Sequence, residues 1–194
     1  MSEHIPANEK MATQVQRAIV KIVIAVFLVS VLPMMVIISL IVADGKPIEV
    51  GSEAPEFTLF NQFHQQVHST DLKGWWFVYF CSADGRPECL IQARYFRDHY
   101  ESFETNKLKL IGITYDQQAT HRTFSVELKL NYDLLSDPNG DVIEDYSADT
   151  SMHRMARNLA YLIDEQGLVR RVYHNLEPAI QLEYLNRDMP ALKL

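Results

Sequence analysis

The hydrophobic residues of this 194-residue chain are concentrated first in one long segment near its start. Residues 22–43 read IVIAVFLVSVLPMMVIISLIVA and include no charged side chain. As a helix this segment would be roughly 33 Å long, enough to cross a hydrocarbon core of about 30 Å. The pattern predicts a transmembrane helix over 22–43, in which Pro33 kinks the helix without ending it.

A cleaved secretory signal is the alternative interpretation of this segment. Its apolar region should be about 7–15 residues long and end at small residues. Here the apolar run is longer, and a polar leader, residues 1–21, precedes it. The sequence therefore favours a retained anchor that binds the lipid bilayer through residues 22–43.

The charges on either side of the span predict its orientation. Lys10, Arg17 and Lys21 precede it, whereas mostly acidic residues follow it. Because basic residues accumulate on the cytoplasmic side, we expect a single-pass protein with a cytoplasmic N-terminus. Its C-terminal domain would then lie outside the cytoplasm, in the periplasm of a Gram-negative cell.

Shorter apolar segments of two kinds fill the rest of the chain. After a polar linker at 44–52, we expect one folded domain at 53–194. Continuous or alternating apolar runs predict strands at 57–60, 65–69, 75–81, 108–115, 133–136 and on either side of a turn at 165–167. Helical spacing predicts helices at 87–103, 118–130 and 181–187, the second with Phe124, Val126 and Leu128 facing inward. This order predicts an α/β fold with a mixed central sheet and helices on both faces.

Charge and cysteine content exclude several classes of partner and site. The chain has 25 acidic and 18 basic residues, a net charge of −7, and no basic stripe, so no nucleic-acid partner is expected. Its two cysteines, Cys81 and Cys89, are too few for a disulfide scaffold and lack the spacing of a zinc site or a Cys-x-x-Cys pair. His64 and His68 fit a solvated loop better than a metal site. We expect neither a metal nor a cofactor.

The segment YFCSADGRPECLIQARYFRD, residues 79–98, places Cys89 in a chemically special position. Pro87 suits the first turn of a helix, so Cys89 would lie beside the unpaired N–H groups and the positive end of the helix dipole. We expect a partly exposed thiolate with a lowered pKa, assisted by Arg86, opposed by Glu88, and reactive toward peroxides or disulfides. Asp84 is expected to cap the helix. Position alone equally permits a buried, inert Cys89.

The region from Val50 to about Tyr173 resembles the peroxiredoxins of the AhpC/TSA type, in particular bacterioferritin comigratory protein and peroxiredoxin Q. The matching segments are VGSEAPEFTLFNQFHQQVHSTDLKGWW, YFCSADGRPECLIQARYFRD, LIGITYDQQATHRTFSVELKLNYDLLSDPNGDVIEDY and AYLIDEQGLVRRVY. The resemblance implies a thioredoxin-like fold of peroxiredoxin type, with Cys89 as the peroxidatic cysteine. It also implies a hydroperoxide substrate and a thioredoxin-like protein or small thiol as reductant.

The active-site motif departs from the family pattern, Pro-x-x-x-Thr/Ser-x-x-Cys. Ser82 replaces the proline, and Arg86 replaces the hydroxyl residue, which an arginine cannot match as a hydrogen-bond acceptor. The family's distant arginine would fall on Asn158. Arg157 is one residue early, and on a strand that slip points a side chain to the opposite face, so either a bulge restores Arg157 or its stabilising role is lost. Arg94 stands where a nearby resolving cysteine would be.

Cys81 is therefore the only other thiol that could resolve an oxidised Cys89. A bridge would need Cα atoms within about 7 Å, and the sequence favours instead an inert cysteine packed at the end of a strand. In that case an external thiol would reduce Cys89.

Three hypotheses of function follow. The leading one is an enzyme, a membrane-anchored thiol peroxidase that contributes to redox homeostasis through a sulfenic acid at Cys89. The second is a catalytically weak redoxin domain tethered as a binding or sensing module, which the changes at Ser82, Arg86 and Asn158 would explain. The third is a thiol–disulfide oxidoreductase or metallochaperone, which requires Cys81 and Cys89 to meet.

Overall fold

The computed structural model describes residues 7–35, 45–150 and 155–193 and divides the chain into two units, 1–44 and 45–194. The first unit contains helix α1 (Ala7–Val26), which continues as a π-helical turn at Phe27–Val31. The Ser30 hydroxyl donates to the Val26 carbonyl at 2.6 Å in this turn. Pro33 lacks an N–H group, and such a disturbance of the helical ladder accounts for a local widening of the helix.

The apolar helix meets the length and composition of a membrane span over Val15–Met35. A signal sequence near an N-terminus would meet the same criteria. The predicted span, 22–43, shares residues 22–35 with this helix, and its remainder lies outside the described residues. The helix is thus compatible with an anchor and leaves its topology as a prediction.

The second unit is built on a seven-stranded mixed sheet with the order β2-β1-β5-β4-β3-β6-β7. The central strands β3, β4 and β5 run parallel, and the outer pairs are antiparallel. The strands are β1 (Thr58–Asn61), β2 (Gln66–His68), β3 (Trp75–Cys81), β4 (Leu108–Thr114), β5 (Asp133–Ser136), β6 (Leu159–Ile163) and β7 (Val169–His174). The helices are α2 (Pro87–Asp98), α3 (Tyr100–Thr105), α4 (Gln118–Leu128), α5 (Asp141–Asp145) and α6 (Pro178–Leu192).

Alternate residues of β3 face two separate cores, as the pleat of a strand requires. Val78 and Phe80 pack in one cluster with Tyr146, which directly follows α5. Phe77, Tyr79 and Cys81 pack in the other, with residues of α2 and α6. The predicted α/β fold, a mixed sheet covered on both faces, is confirmed.

The structure departs from the predicted helices in four places. The helix predicted at 87–103 is divided at His99, the closing helix is longer, and α5 was not predicted. Val126 is 64% exposed, so its inward orientation was wrong. On α4 the buried residues are His121, Ser125 and Leu128, spaced four and three apart, and Val126 lies one position off that face.

The region predicted as a linker lies partly within the folded unit. Gly51 N donates to Val169 O at 2.7 Å, and Ala54 N donates to Gly167 O at 2.8 Å. These bonds attach the stretch to the β6–β7 hairpin, so the second unit begins at Gly45.

Candidate active site

The two cysteines form a disulfide between the end of β3 and the first turn of α2, with their Cα atoms 5.8 Å apart. The loop at 82–86 turns the chain so that α2 begins beside the strand it has just left. Cys81 packs at the end of the strand as expected, but it is bonded to Cys89, so the expectation of a cysteine without a thiol partner is wrong. The contact that a disulfide-exchange function requires is present.

Both cysteines are buried in this state. Cys89 is 3% exposed and Cys81 is 7% exposed, in an apolar cluster that includes Phe77, Tyr79 and Phe96. The expected partial exposure of Cys89 is thus wrong for the disulfide form. Neither sulfur of a disulfide is charged, so these apolar surroundings impose no charge-burial penalty. The structure therefore describes the oxidised, disulfide-bonded form of the two cysteines.

The start of α2 is where the sequence predicted it. Pro87 is the first helical residue, and Leu90 N donates to Arg86 O at 2.9 Å. Cys89 therefore lies in the first turn, where backbone N–H groups lack helical partners. Arg86 is the N-cap residue and provides no side-chain cap, so the prediction that Asp84 caps this helix is wrong.

The two arginines predicted to assist Cys89 have other partners. Arg86 forms an ion pair with Glu88 at 3.3 Å, and the two side chains are 42% and 61% exposed. Arg157 donates to the carbonyls of Asp149 at 2.7 Å and Gly45 at 2.8 Å. The part of the sheet described has its register shift between Leu162 and Ile163, away from position 157.

The family's other altered positions serve structural contacts. Ala156 N donates to Ser82 Oγ at 2.9 Å, which links the loop after β3 to the segment before β6. The Asn158 carbonyl oxygen accepts from Gln181 at 3.0 Å, and its amide donates to Leu176 O at 3.0 Å. A proline could not accept from Ala156 N as Ser82 Oγ does, and an arginine could not accept from Gln181 as the Asn158 carbonyl does.

A buried polar cluster that the sequence did not predict lies beside the disulfide loop. Asp84 Oδ2 and His121 Nδ1 are 2.7 Å apart, with side chains 4% and 0% exposed. Asp84 N donates to Asp116 Oδ2 at 2.6 Å. Neighbouring parallel strands end at the same edge of a sheet, so the loops after β3 and β4 meet there. That rule could have placed Asp84 near the Asp116–His121 segment.

Among the described residues, Asp84, Asp116 and His121 form the cluster whose possible metal-ligand atoms all lie within 4.8 Å of one another. Those atoms are already used in hydrogen bonds within the protein, from His121 to Asp84 and from Asp84 to Asp116. We assign no metal ion to it. Burial raises the pKa of Asp84, and the hydrogen bond with His121 opposes that shift.

Two tyrosines lie beneath the disulfide. The Tyr79 and Tyr132 hydroxyls are 2.9 Å apart, and Tyr132 donates to the Ala93 carbonyl at 3.3 Å. Tyr79 therefore donates to Tyr132. Burial raises the pKa of both phenols, so they stay neutral across the physiological range.

Gln92 lies one turn after Cys89 on the buried side of α2 and was also missed. It is 5% exposed, and its Nε2 atom has no hydrogen-bond partner among the described residues. Residues three apart on a helix lie on the same face. A buried unpaired donor costs about 1–3 kcal/mol, and the spacing of three residues places Gln92 on the same buried face of α2 as Cys89.

Sequence comparison places these features in a known family. The AhpC/TSA family profile matches residues 50–172. Chloroplastic peroxiredoxin Q of Suaeda salsa is 38% identical over 64% of this chain, and the chain covers 59% of that protein's length. Chloroplastic peroxiredoxin Q of Sedum lineare is 35% identical over 74% of this chain and 78% of its own length.

Structural comparison agrees on the fold. The crystal structure of peroxidoxin BcpB from Mycobacterium tuberculosis superimposes with a TM-score of 0.69 at 20% identity. The similarity covers 74% of this chain and 97% of that one, and it places the second unit in the thioredoxin-like peroxiredoxin fold. With its matched profile, its relatives and its fold, the chain belongs to the AhpC/TSA family as a peroxiredoxin Q-like protein.

Proposed function

We propose that this protein is a membrane-anchored thiol peroxidase in which Cys89 is the peroxidatic and Cys81 the resolving cysteine. The observation that supports it most is the disulfide between a helix N-terminus and the neighbouring strand end. Relatives named peroxiredoxin Q support the same chemistry. The chain spans less than two thirds of several of those relatives, so their activity is carried over as a proposal.

The cycle has three steps. The Cys89 thiolate attacks a peroxide oxygen, the O–O bond breaks, and the leaving oxygen takes a proton, which gives water or an alcohol and a Cys89 sulfenic acid. The Cys81 thiol then attacks the Cys89 sulfur, the S–O bond breaks and water leaves, which forms the disulfide. A thioredoxin-like protein or small thiol supplies two electrons and two protons to restore both thiols.

The helix N-terminus and two side chains would stabilise the reacting groups. The ion pair of Arg86 with Glu88 is exposed and worth less than about 1 kcal/mol, so Arg86 can turn toward a charged Cys89 at little cost. The Gln92 amide would donate a hydrogen bond to the peroxide oxygen that Cys89 attacks. A role for Arg157 stays a prediction, since its described bonds run to backbone carbonyls.

The anchor and the compartment belong to the proposal as well. The apolar helix over Val15–Met35 supports a bilayer anchor, and the flanking charges support a cytoplasmic N-terminus with the peroxidase domain outside the cytoplasm. An oxidising compartment favours disulfides, so a dedicated thiol reductant would be required there.

Stopped-flow oxidation of the reduced full-length protein in detergent tests the peroxidase activity. We expect hydrogen peroxide or an organic hydroperoxide to oxidise Cys89 far faster than it oxidises free cysteine. Cys89→Ser is the matched control and should show no fast phase. A rate equal to that of free cysteine would refute the peroxidase.

The buried disulfide also favours a second candidate, a thiol–disulfide oxidoreductase that uses the same two cysteines. The two activities separate in one comparison of rates. An exchange enzyme would react rapidly with a reduced or oxidised dithiol partner and slowly with peroxide. A peroxidase would show fast peroxide oxidation first.

A further inference from the structure

The buried pair of Asp84 and His121 holds a proton whose presence follows from the hydrogen bonds. His121 Nε2 lies 3.2 Å from the Leu135 carbonyl, which can only accept, so Nε2 carries a hydrogen. The contact of 2.7 Å between His121 Nδ1 and Asp84 Oδ2 then needs a second hydrogen, on the ring or on the carboxyl. Either way the pair carries one proton more than a neutral imidazole beside a free carboxylate, and its net charge is zero.

The pair lies at the same edge of the sheet as Cys81. Thr114 is the register partner of Cys81 across the parallel strands β3 and β4, which are about 4.8 Å apart. The Thr114 hydroxyl lies 3.5 Å from His121 Nε2. Asp84 follows Cys81 by three residues in the loop that ends at α2. The pair is therefore linked to Cys81 through Thr114 on the neighbouring strand and through Asp84 in the loop that follows.

Cys81 has a chemical need that the helix N-terminus does not meet. It lies at the end of a strand in apolar surroundings, which favour the neutral thiol, yet only the thiolate attacks a sulfenic acid. Cys89, by contrast, lies in the first turn of α2. A proton acceptor near Cys81 would take up the thiol proton, and an imidazolium there would stabilise the thiolate. The end of a strand provides neither.

We propose that the Asp84–His121 pair is an acid–base positioning unit for Cys81, which handles the proton that this thiol loses when the disulfide closes and regains when it opens. On closure the Cys81 S–H bond breaks, the S–S bond forms and the S–O bond of the Cys89 sulfenic acid breaks. The pair relays the thiol proton to the departing hydroxide, which leaves as water. The pair therefore ends with as many protons as it began.

Few other titratable groups among the described residues face the pair. Tyr79 and Tyr132 interact with Asp84 and are neutral, since burial raises the pKa of both phenols. Asp116 is the remaining carboxyl and accepts from the Asp84 backbone. The surroundings are thus acidic or neutral, which favours keeping the extra proton on the pair.

The test measures disulfide closure in the full-length protein, which has no cysteines besides Cys81 and Cys89. Reduced protein in detergent receives one equivalent of hydrogen peroxide, and closure is followed by quenching and intact mass between pH 6 and 9. We expect a nearly constant rate for the wild type. For Asp84→Asn and His121→Gln we expect closure about 10²-fold slower near pH 6.5, a deficit that shrinks toward the ordinary thiol pKa of about 8.5. His99→Gln, an exposed histidine on the same side of the sheet, is the matched control and should match the wild type.

Two results would overturn the proposal. Wild-type closure that rises tenfold per pH unit from pH 6 shows an unassisted thiol, and this measurement needs no variant to fold. A deficit in both variants that stays constant across pH shows that the pair only holds the loop.

The inference rests on the proposed function through the resolving role of Cys81, so a second experiment removes the peroxide. Closure is then started with oxidised dithiothreitol, which forms a mixed disulfide that Cys81 displaces. The same pH signature there, without any fast reaction with peroxide, would refute the peroxidase and keep the role of the pair. A wild-type-like closure rate in both variants would refute the pair's role and leave the peroxidase intact.

Discussion

Reduction of the Cys81–Cys89 bond should measurably destabilise the folded unit. The cysteines are eight positions apart in the sequence. In the chain-entropy account, a cross-link that closes a loop of this size lowers the conformational entropy of the unfolded state and so raises its free energy by roughly 2.5 kcal/mol at 25 °C. For a unit of about 150 residues this corresponds to a decrease in Tm of roughly 5–10 °C on reduction.

The assay is urea unfolding of the full-length protein in detergent, followed by tryptophan fluorescence with and without dithiothreitol. Trp75 and Trp76 lie on β3, the strand that ends at Cys81, so they report the unfolding of this unit. Reduction adds only two hydrogens, so it changes the cross-link with little change in packing. Cys81→Ala is the control, and its midpoint should not respond to dithiothreitol.

The reasoning fails if the oxidised and reduced proteins unfold at the same urea concentration while mass spectrometry shows that the bond has been cleaved. Such a result would mean that the cross-link between Cys81 and Cys89 does not stabilise the folded unit. A wild-type protein that keeps two free thiols under mild oxidant would contradict the disulfide directly.

Three further predictions follow from individual contacts. Gly112→Ala would bring a Cβ atom to 2.6 Å from the Tyr79 ring and hydroxyl and 2.7 Å from Leu134. We therefore expect the free energy of unfolding to fall by about 1–3 kcal/mol. Gly85→Ala is the control, because its Cβ atom would meet no atom within 4 Å, and it should be close to neutral. Hydrogen bonds from Arg187 and from Arg171 hold the pKa of Asp188 below its ordinary value of 3.8. The ionised Asp188 therefore stabilises the folded state above that pH, and this stabilisation is lost as the pH falls through the lowered pKa. Acid unfolding of Asp188→Asn should lack that part of the transition, with a difference below about 1 kcal/mol, and identical acid profiles would contradict it. Arg86→Gln should slow sulfenic acid formation at Cys89 by about tenfold, measured against the exposed control Arg94→Gln, and equal rates in both variants would show that Arg86 has no part in the reaction.

The periodicity of the sequence predicted the sheet because its strong signals are local. The run from Trp75 to Cys81 is apolar throughout, as a strand covered on both faces requires, and Pro87 marks the helix start beside it. The short helix α5 was missed because it is only five residues long and its buried residues, Val142 and Ile143, show no repeat.

The site was harder to predict because its contacts depend on how loops turn and where neighbouring strands end. Cys81 is joined to Cys89 only through the turn geometry of the loop between them, which spacing alone leaves open. Asp84 and His121 are 37 residues apart, and their contact depends on two parallel strands ending at one edge. The prediction that Asp84 caps α2 failed because the buried histidine is a stronger partner for its carboxylate than the helix N–H groups.

Intact mass of the reduced full-length protein after mild peroxide treatment tests the central claim most directly. We predict that the wild type loses two hydrogens as the disulfide closes, that Cys81→Ser gains one oxygen as a sulfenic acid, and that Cys89→Ser is unchanged. An unmodified wild type, or an oxygen added to Cys89→Ser instead, would contradict the assignment of Cys89 as the cysteine that reacts with peroxide.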